Sequence, residues 1–528
     1  MDNTIVETHL GKVRGALADG VYAFKGVRYG ASTGGANRFM PPQPAQPWAG
    51  IQDALEFGNI APQSNPTPAA PGAPSPIILL QLPRPAIASS APPPSPQPKE
   101  SEDCLFLNVW TSGPGDGRKR PVMLWLHAGF FAAGSGAMVD GSQLARRGDV
   151  VVVSINHRLN VFGFTHLAEV GGEEFAHSGN AGMLDIIAAL QWVRQNIANF
   201  GGDPGRVMVF GGSGGGMKTS FLMASPRAQH LFHRAAVQSG PGLRMIERER
   251  AARVTEALLA EVGSSPARVR DLQQIPVARL LAAYFAVRAT KFPDRNFTDL
   301  ECFAPVVDGD VLPRHPFEPN ASALAAPIPL LIGWNQADMI FFMGADPEAF
   351  ALSEASLEKR ARGFLGPREK QGIEIYRRRY PHYTPSDLFI QMWTDFSIMR
   401  ATLQQAERKA AQGGSPTFVY RFDWQTPVLG GKLKSLHSLE NSFVWNNTES
   451  AAFLTGGGPV AAALARQVSS AWVSFATSGD PNTNGSGLPH WPQYDPHSRQ
   501  TLLIDVRSRV EADPTRAERE FLLDCVAN

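Results

Sequence analysis

Cysteine is scarce in this 528-residue chain: Cys104, Cys302 and Cys525 are the full complement. An odd count with no short spacing argues against a disulfide framework and a cysteine-based metal site. Net charge is scarce as well. Lys and Arg number 49 and Asp and Glu 48, a formal charge of +1, so neither nucleic acid nor an anionic membrane is expected as a partner. Long apolar runs are missing: stretches such as Pro121–Leu126 and Val150–Ile155 are far too short to span a bilayer. The start, Met1-Asp2-Asn3-Thr4, carries neither the basic residues nor the apolar stretch of a secretory leader, and a cytoplasmic location is the expectation. Internal repeats and an independent second domain are absent too, so residues 1–528 are read as one domain.

What is present centres on Val207-Met208-Val209-Phe210 followed by Gly211-Gly212-Ser213-Gly214-Gly215-Gly216. Four apolar residues predict a buried strand, and Met217–Ala224 predicts the start of a helix. A serine on so sharp a strand-to-helix turn has its Oγ pushed into open space, and the flanking glycines allow the turn without Cβ clashes. The helix aims free N–H groups and its positive dipole end at whatever Ser213 attacks. This is the pattern of a nucleophile elbow.

Around it the chain alternates strands and helices. Val122–Leu126, Val150–Ile155, Leu330–Ile332 and Phe418–Phe422 are predicted strands. Asp185–Asn199 is a predicted helix, with Ile186, Ile187, Leu190, Val193 and Ile197 on one face. Glu247–Lys291 and Ala461–Ser478 also read as helical. The alternation implies an α/β fold with a mostly parallel central sheet flanked by helices. Val6–Gln63 predicts a small N-terminal sheet with loops. Residues 64–99 are dominated by Pro, Ala and Ser and cannot build a core. They read either as a surface insert or as a flap, with Leu79 in an apolar island that would lie over a pocket.

A nucleophilic serine needs a base, and the base an orienting acid, in chain order Ser, Asp/Glu, His. Asp338 follows the Leu330–Ile332 strand, where an open α/β sheet puts its site; Asp308 and Asp310 are rivals in a turn before any clear strand. His437 follows the Phe418–Phe422 strand. His490, in a proline loop near the C-terminus, competes with it, and the histidines at 157, 166, 177, 230 and 233 read as bystanders. Oxyanion donors are also needed. The loop His127-Ala128-Gly129-Phe130-Phe131 after the Val122–Leu126 strand offers the N–H groups of Gly129 and Phe130, and Gly214 offers a third.

These residues resemble the type-B carboxylesterase family of α/β-hydrolases. Ser101-Glu102-Asp103-Cys104-Leu105 is similar to its S-E-D-C-L signature, and Asn156-His157-Arg158-Leu159 to its N-Y-R-L stretch. Gly179–Asp185 and Phe200–Pro204 are similar to the approach to its elbow, and Phe24–Gly30 to its N-terminal sheet. The similarity spans nearly the whole chain outside 64–99. It implies an α/β-hydrolase fold with helical and loop lid insertions, and Ser213 as nucleophile, Asp338 as acid and His437 as base. It also implies oxyanion donors at Gly129, Phe130 and Gly214, and Glu440 at the family's usual glutamate. Phe130, Phe131 and Leu79 are expected substrate contacts. Four departures stand out. Gly212 replaces the usual glutamate beside the serine. Ala128 and Phe130 break the usual glycine run, and a positive φ there would resist a phenylalanine. Cys104 lacks its usual disulfide partner, as in a cytoplasmic, bacterial relative. The acid is Asp where many members have Glu.

The expected activity is hydrolysis of small to medium hydrophobic or aryl carboxylic esters through an acyl-enzyme, with no metal or organic cofactor. The expected partner is a small-molecule ester, for a monomer or homodimer. The alternatives are an amide or carbamate hydrolase with the same parts, and a non-catalytic adhesion or binding member of the family.

Overall fold

The computed structural model describes residues 4–66, 98–291 and 302–527, apart from 344, 345, 347, 484 and 486. Most of the 64–99 insert, Leu79 included, lies outside these described residues. Fourteen strands appear among them: β1 (Ile5–Thr8), β2 (Gly11–Arg14), β3 (Ala16–Ala18), β4 (Val21–Arg28), β5 (Ile51–Asp53), β6 (Phe106–Thr111), β7 (Arg120–Leu126), β8 (Val151–Ile155), β9 (Gly202–Gly212), β10 (Arg234–Gln238), β11 (Leu330–Asn335), β12 (Thr417–Phe422), β13 (Gln500–Ile504) and β14 (Arg509–Ala512). Eleven form one sheet in the order β14-β13-β12-β11-β10-β9-β7-β8-β6-β4-β3, and β1, β2 and β5 form a small separate one.

The centre of the large sheet, from β8 through β7 and β9 to β13, is parallel. Both flanks are antiparallel. Every residue of β7, β8, β11 and β12 is buried, because helices cover both faces of a parallel sheet and leave no polar side to alternate with. That is why these strands read as mostly apolar runs with no alternation. The helix Gly458–Ser478 packs on β7 and β9, Arg400–Ala410 on β11 and β12, and Ala181–Asn196 on β9. The fold is that of an α/β-hydrolase.

Several predicted bounds shift. The strand at Val207–Phe210 extends over all of β9, and the helix at Asp185–Asn199 begins at Ala181 and tightens to a 3-10 turn at Ile197–Phe200. Glu247–Lys291 is not one helix. Gly263, at φ 74°, caps Arg248–Val262 in the left-handed conformation glycine tolerates, and Pro266 then opens a 3-10 stretch, Pro266–Gln273, before Val277–Thr290. Among the described residues no helix is long and apolar enough to cross a membrane.

The motif residues behind the resemblance hold the frame together. Arg158 pairs bidentately with Asp185, both buried, and donates to the Met40 carbonyl. Glu102 clasps Arg38 and Asp103 clasps Arg28. These pairs tie the N-terminal segment to the strand and helix before the elbow.

One buried acid predicts a pH effect on stability. Asp395, in a single π-turn at Asp395–Met399, accepts from the Tyr376 hydroxyl at 2.9 Å and the Gln391 amide at 3.0 Å. Burial first, and then the Glu518 charge, push its carboxyl up to about 8, against ~3.9 for an unfolded aspartate. Between those values the folded chain holds a proton that the unfolded chain has released. Its stabilising contribution is therefore complete below about pH 4 and lost as pH rises through about 8. Asp395→Asn keeps both hydrogen bonds if the Gln391 amide flips. It should flatten the fall of melting temperature between pH 6 and 9 and leave the variant the more stable protein at pH 9. Parallel melting curves across that range would contradict this.

Candidate active site

Ser213 stands at the C-terminal end of β9 with φ 55° and ψ −124°, a backbone few residues other than glycine adopt. The following helix, Gly214–Leu222, starts at the next residue, so its unbonded N–H groups face the space in front of the serine. The strain is fixed by neighbours. The Ser213 N–H donates to the Gln238 carbonyl of β10 at 2.8 Å.

The predicted acid and base candidates, Asp338 and His437, lie side by side. His437 Nδ1 lies 2.7 Å from Asp338 Oδ1, and both side chains are buried. A carboxylate only accepts, so Nδ1 carries the proton and Nε2 is the basic nitrogen. The other Asp338 oxygen accepts from the Asn335 N–H at 2.9 Å. Backbone bonds from His437 N to Asp338 O and from Ala337 N to Ser435 O stitch the two loops together. Asp338 follows the end of β11 and His437 the end of its parallel neighbour β12, on the same edge of the sheet as Ser213.

The histidine loop reaches the elbow through Asn441 and Trp445. The Asn441 amide oxygen accepts from Gln238 at 2.8 Å, and the same side chain lies about 3.1 Å from where a Cβ on Gly212 would stand. Trp445 packs on Trp125 of β7 and Phe210 of β9, at centroid distances of 5.3 and 5.6 Å. His437 and Asp338 are thus linked to the Ser213 elbow through packed side chains.

The donor loop is equally close. Gly129 has φ 94° and Phe130 φ 52°. The conformation that resists a phenylalanine is adopted here by one, at a cost of about 1–3 kcal/mol. A Cβ on Gly214 would fall 2.3 Å from Phe130 N and Cα, so only glycine lets the loop and the elbow meet. Phe131 departs from expectation. Its ring is fully buried, edge-on to Phe164 and facing the Lys218 ammonium, and it is a core side chain, not an open wall for substrate.

Three residues around the His437–Asp338 pair carry no strong signal in the sequence. Asn335 donates from its amide to Glu440 at 2.6 Å and to the Leu436 carbonyl at 2.7 Å while its N–H holds Asp338. Its place at the last position of β11, three residues before the acid, was the available signal. The Phe341 and Phe342 rings lie 5.5 and 5.4 Å from the His437 ring. They occupy the 3-10 turn Asp338–Met343, so an aromatic pair just past the acid was legible but had no partner in view. Glu440 itself is buried. Burial, and then the Asp338 charge, push its carboxyl up to about 7, while His437 and the Asn335 bond pull it back.

The rivals fall elsewhere. Asp308 closes a turn by accepting from Asp310 and Leu312 N–H groups, and Asp310 pairs with Arg227. His490 is exposed, and its neighbours Trp491 and Tyr494 bond to Val419 and Thr417, in the middle and at the start of β12, away from the end that leads to His437.

Comparison with known proteins identifies the family. A model of the Carboxylesterase family matches residues 2–522. The para-nitrobenzyl esterase of Bacillus subtilis (strain 168) is 34% identical over 535 positions, covering 99% of each chain. The phenmedipham hydrolase of Pseudarthrobacter oxydans is 31% identical, over 97% of this chain and 98% of that one. A crystal structure of a Geobacillus stearothermophilus carboxylesterase superposes with a TM-score of 0.81 at 36% identity, over 98% of this chain and 100% of the other. The chain belongs to the carboxylesterase family and is a carboxylic ester hydrolase.

Proposed function

We propose that this esterase works through a Ser213–His437–Asp338 triad and an acyl-enzyme, on small to medium hydrophobic or aryl esters. The buried His437–Asp338 pair, on the same sheet edge as the strained Ser213 elbow, carries the reading. His437 Nε2 takes the Ser213 proton as Oγ attacks the ester carbonyl. The oxyanion rests on the N–H groups of Gly129, Phe130 and Gly214. The imidazolium, held by Asp338, gives its proton to the departing alcohol. Water then repeats the sequence in reverse and frees the acid.

Purified protein assayed on p-nitrophenyl esters of graded acyl length, with para-nitrobenzyl esters, phenmedipham and an anilide alongside, tests the substrate class. Turnover of short and medium acyl or aryl esters, lost on fluorophosphonate labelling of Ser213, supports it. Turnover confined to the anilide or to phenmedipham would move the assignment to an amide or carbamate hydrolase.

Phe130 sets a specificity test. We infer that its ring borders the acyl side of the pocket and favours slim acyl groups. Phe130→Gly also relieves the positive-φ strain. It should raise kcat/KM for benzoyl relative to acetyl esters by about 10-fold, against ~1–3 kcal/mol for a single methylene of misfit. An unchanged acyl profile together with a lower melting temperature would show that the ring only packs.

A further inference from the structure

The helix that follows Ser213 carries a buried lysine that triad chemistry does not use. Lys218, one turn into the elbow helix, is fully buried. Its ammonium donates to the His127 carbonyl at 3.0 Å and lies 5.9 Å from the Phe131 ring centroid. His127 is the first residue past β7 and stands two positions before Gly129. The bond therefore runs from the helix that begins at the nucleophile to the loop that carries two of the three donors.

The same two segments meet elsewhere as closely as backbone allows. A Cβ on Gly215 would fall 2.0 Å from the Leu126 carbonyl oxygen. The donor loop holds two consecutive positive-φ residues, Gly129 and Phe130, and such a backbone persists only when its surroundings over-determine it. Beside the ammonium, the His127 and His157 rings stack at 4.8 Å and 9°. Burial above all, and then the Lys218 charge, push both imidazoles well below the ordinary histidine range. Both imidazoles are thus held toward the neutral form, with the Lys218 side chain beside them. A charge held in a dry interior acts more strongly on a developing oxyanion than the same charge in water.

We propose that Lys218 is a positioning residue of the oxyanion hole: its ammonium ties the donor loop to the nucleophile helix and sets a positive charge beside that loop. The proposal rests on the Ser213 reading above. Lys218→Met removes both bond and charge. Lys218→Gln keeps an N–H donor at slightly shorter reach and removes the charge. Each variant is titrated with a fluorophosphonate, and kcat and KM for p-nitrophenyl butyrate are taken per titrated site. Lys218→Met should lose about 100-fold in kcat with KM within about twofold, and Lys218→Gln about tenfold. Affinity for a trifluoromethyl ketone, which binds as an oxyanion-bearing adduct, should fall in step with kcat. A lysine that merely packs would lower the titratable fraction and the melting temperature. It would leave kcat per site and ketone affinity unchanged, and that result in either folded variant overturns the proposal. Should Lys218→Met not fold, Lys218→Gln decides alone. Wild-type protein whose hydrolysis and labelling do not depend on Ser213 overturns the triad reading instead, and this inference with it.

Discussion

Ser213→Ala should abolish ester hydrolysis in a protein that still folds. The elbow geometry belongs to the backbone, since Ser213 donates through its N–H to Gln238 and its φ is 55°. Losing Oγ therefore removes the nucleophile and leaves the scaffold. Removal of the nucleophile from a working triad costs roughly a million-fold in kcat. Alanine at a positive φ carries a strain like that of serine, so the melting temperature should stay within a few degrees of wild type. Turnover near wild type in the folded variant would sink the assignment.

His437→Ala should cost about as much, because nucleophile and base act as one unit and either loss removes the whole. Asp338→Asn should cost about 10⁴-fold, since an amide in place of the carboxylate stabilises the wrong tautomer of the imidazole. His490→Ala should leave kcat unchanged: the residue is exposed in a loop whose bonds lead to the first half of β12. Assaying the three variants at one pH gives the ranking. Activity that survives His437→Ala and dies with His490→Ala would reverse the roles.

The residues of the proposed site could be named because they sit where chain order and strand ends intersect. β7, β11, β12 and the second half of β9 are buried and mostly apolar, so the residues just past them could be picked out. Sheet membership was less legible. β3 and β4 join the large sheet while β1, β2 and β5 form the small one, and short alternating segments carry no record of which neighbour they pair with. Phe131 was misjudged for a related reason. It follows the positive-φ turn at Phe130, and nothing local tells which of two adjacent rings turns inward. Asn335 carried only its place at the end of β11 as a signal, and Lys218 carried none, because their side chains bond to partners more than ninety residues away. Gly212, read as a missing charge, has a neighbour in Asn441 that the sequence could not supply.

The acyl-enzyme on Ser213 is the central claim, and rapid acid quenching of the protein during turnover of a p-nitrophenyl ester, followed by peptide mass spectrometry, tests it most directly. The account predicts that the tryptic peptide 207–218 gains the mass of the acyl group on Ser213 during steady state, and that the gain is absent from Ser213→Ala. Steady hydrolysis with no acyl adduct, or with the adduct on another residue, would contradict it.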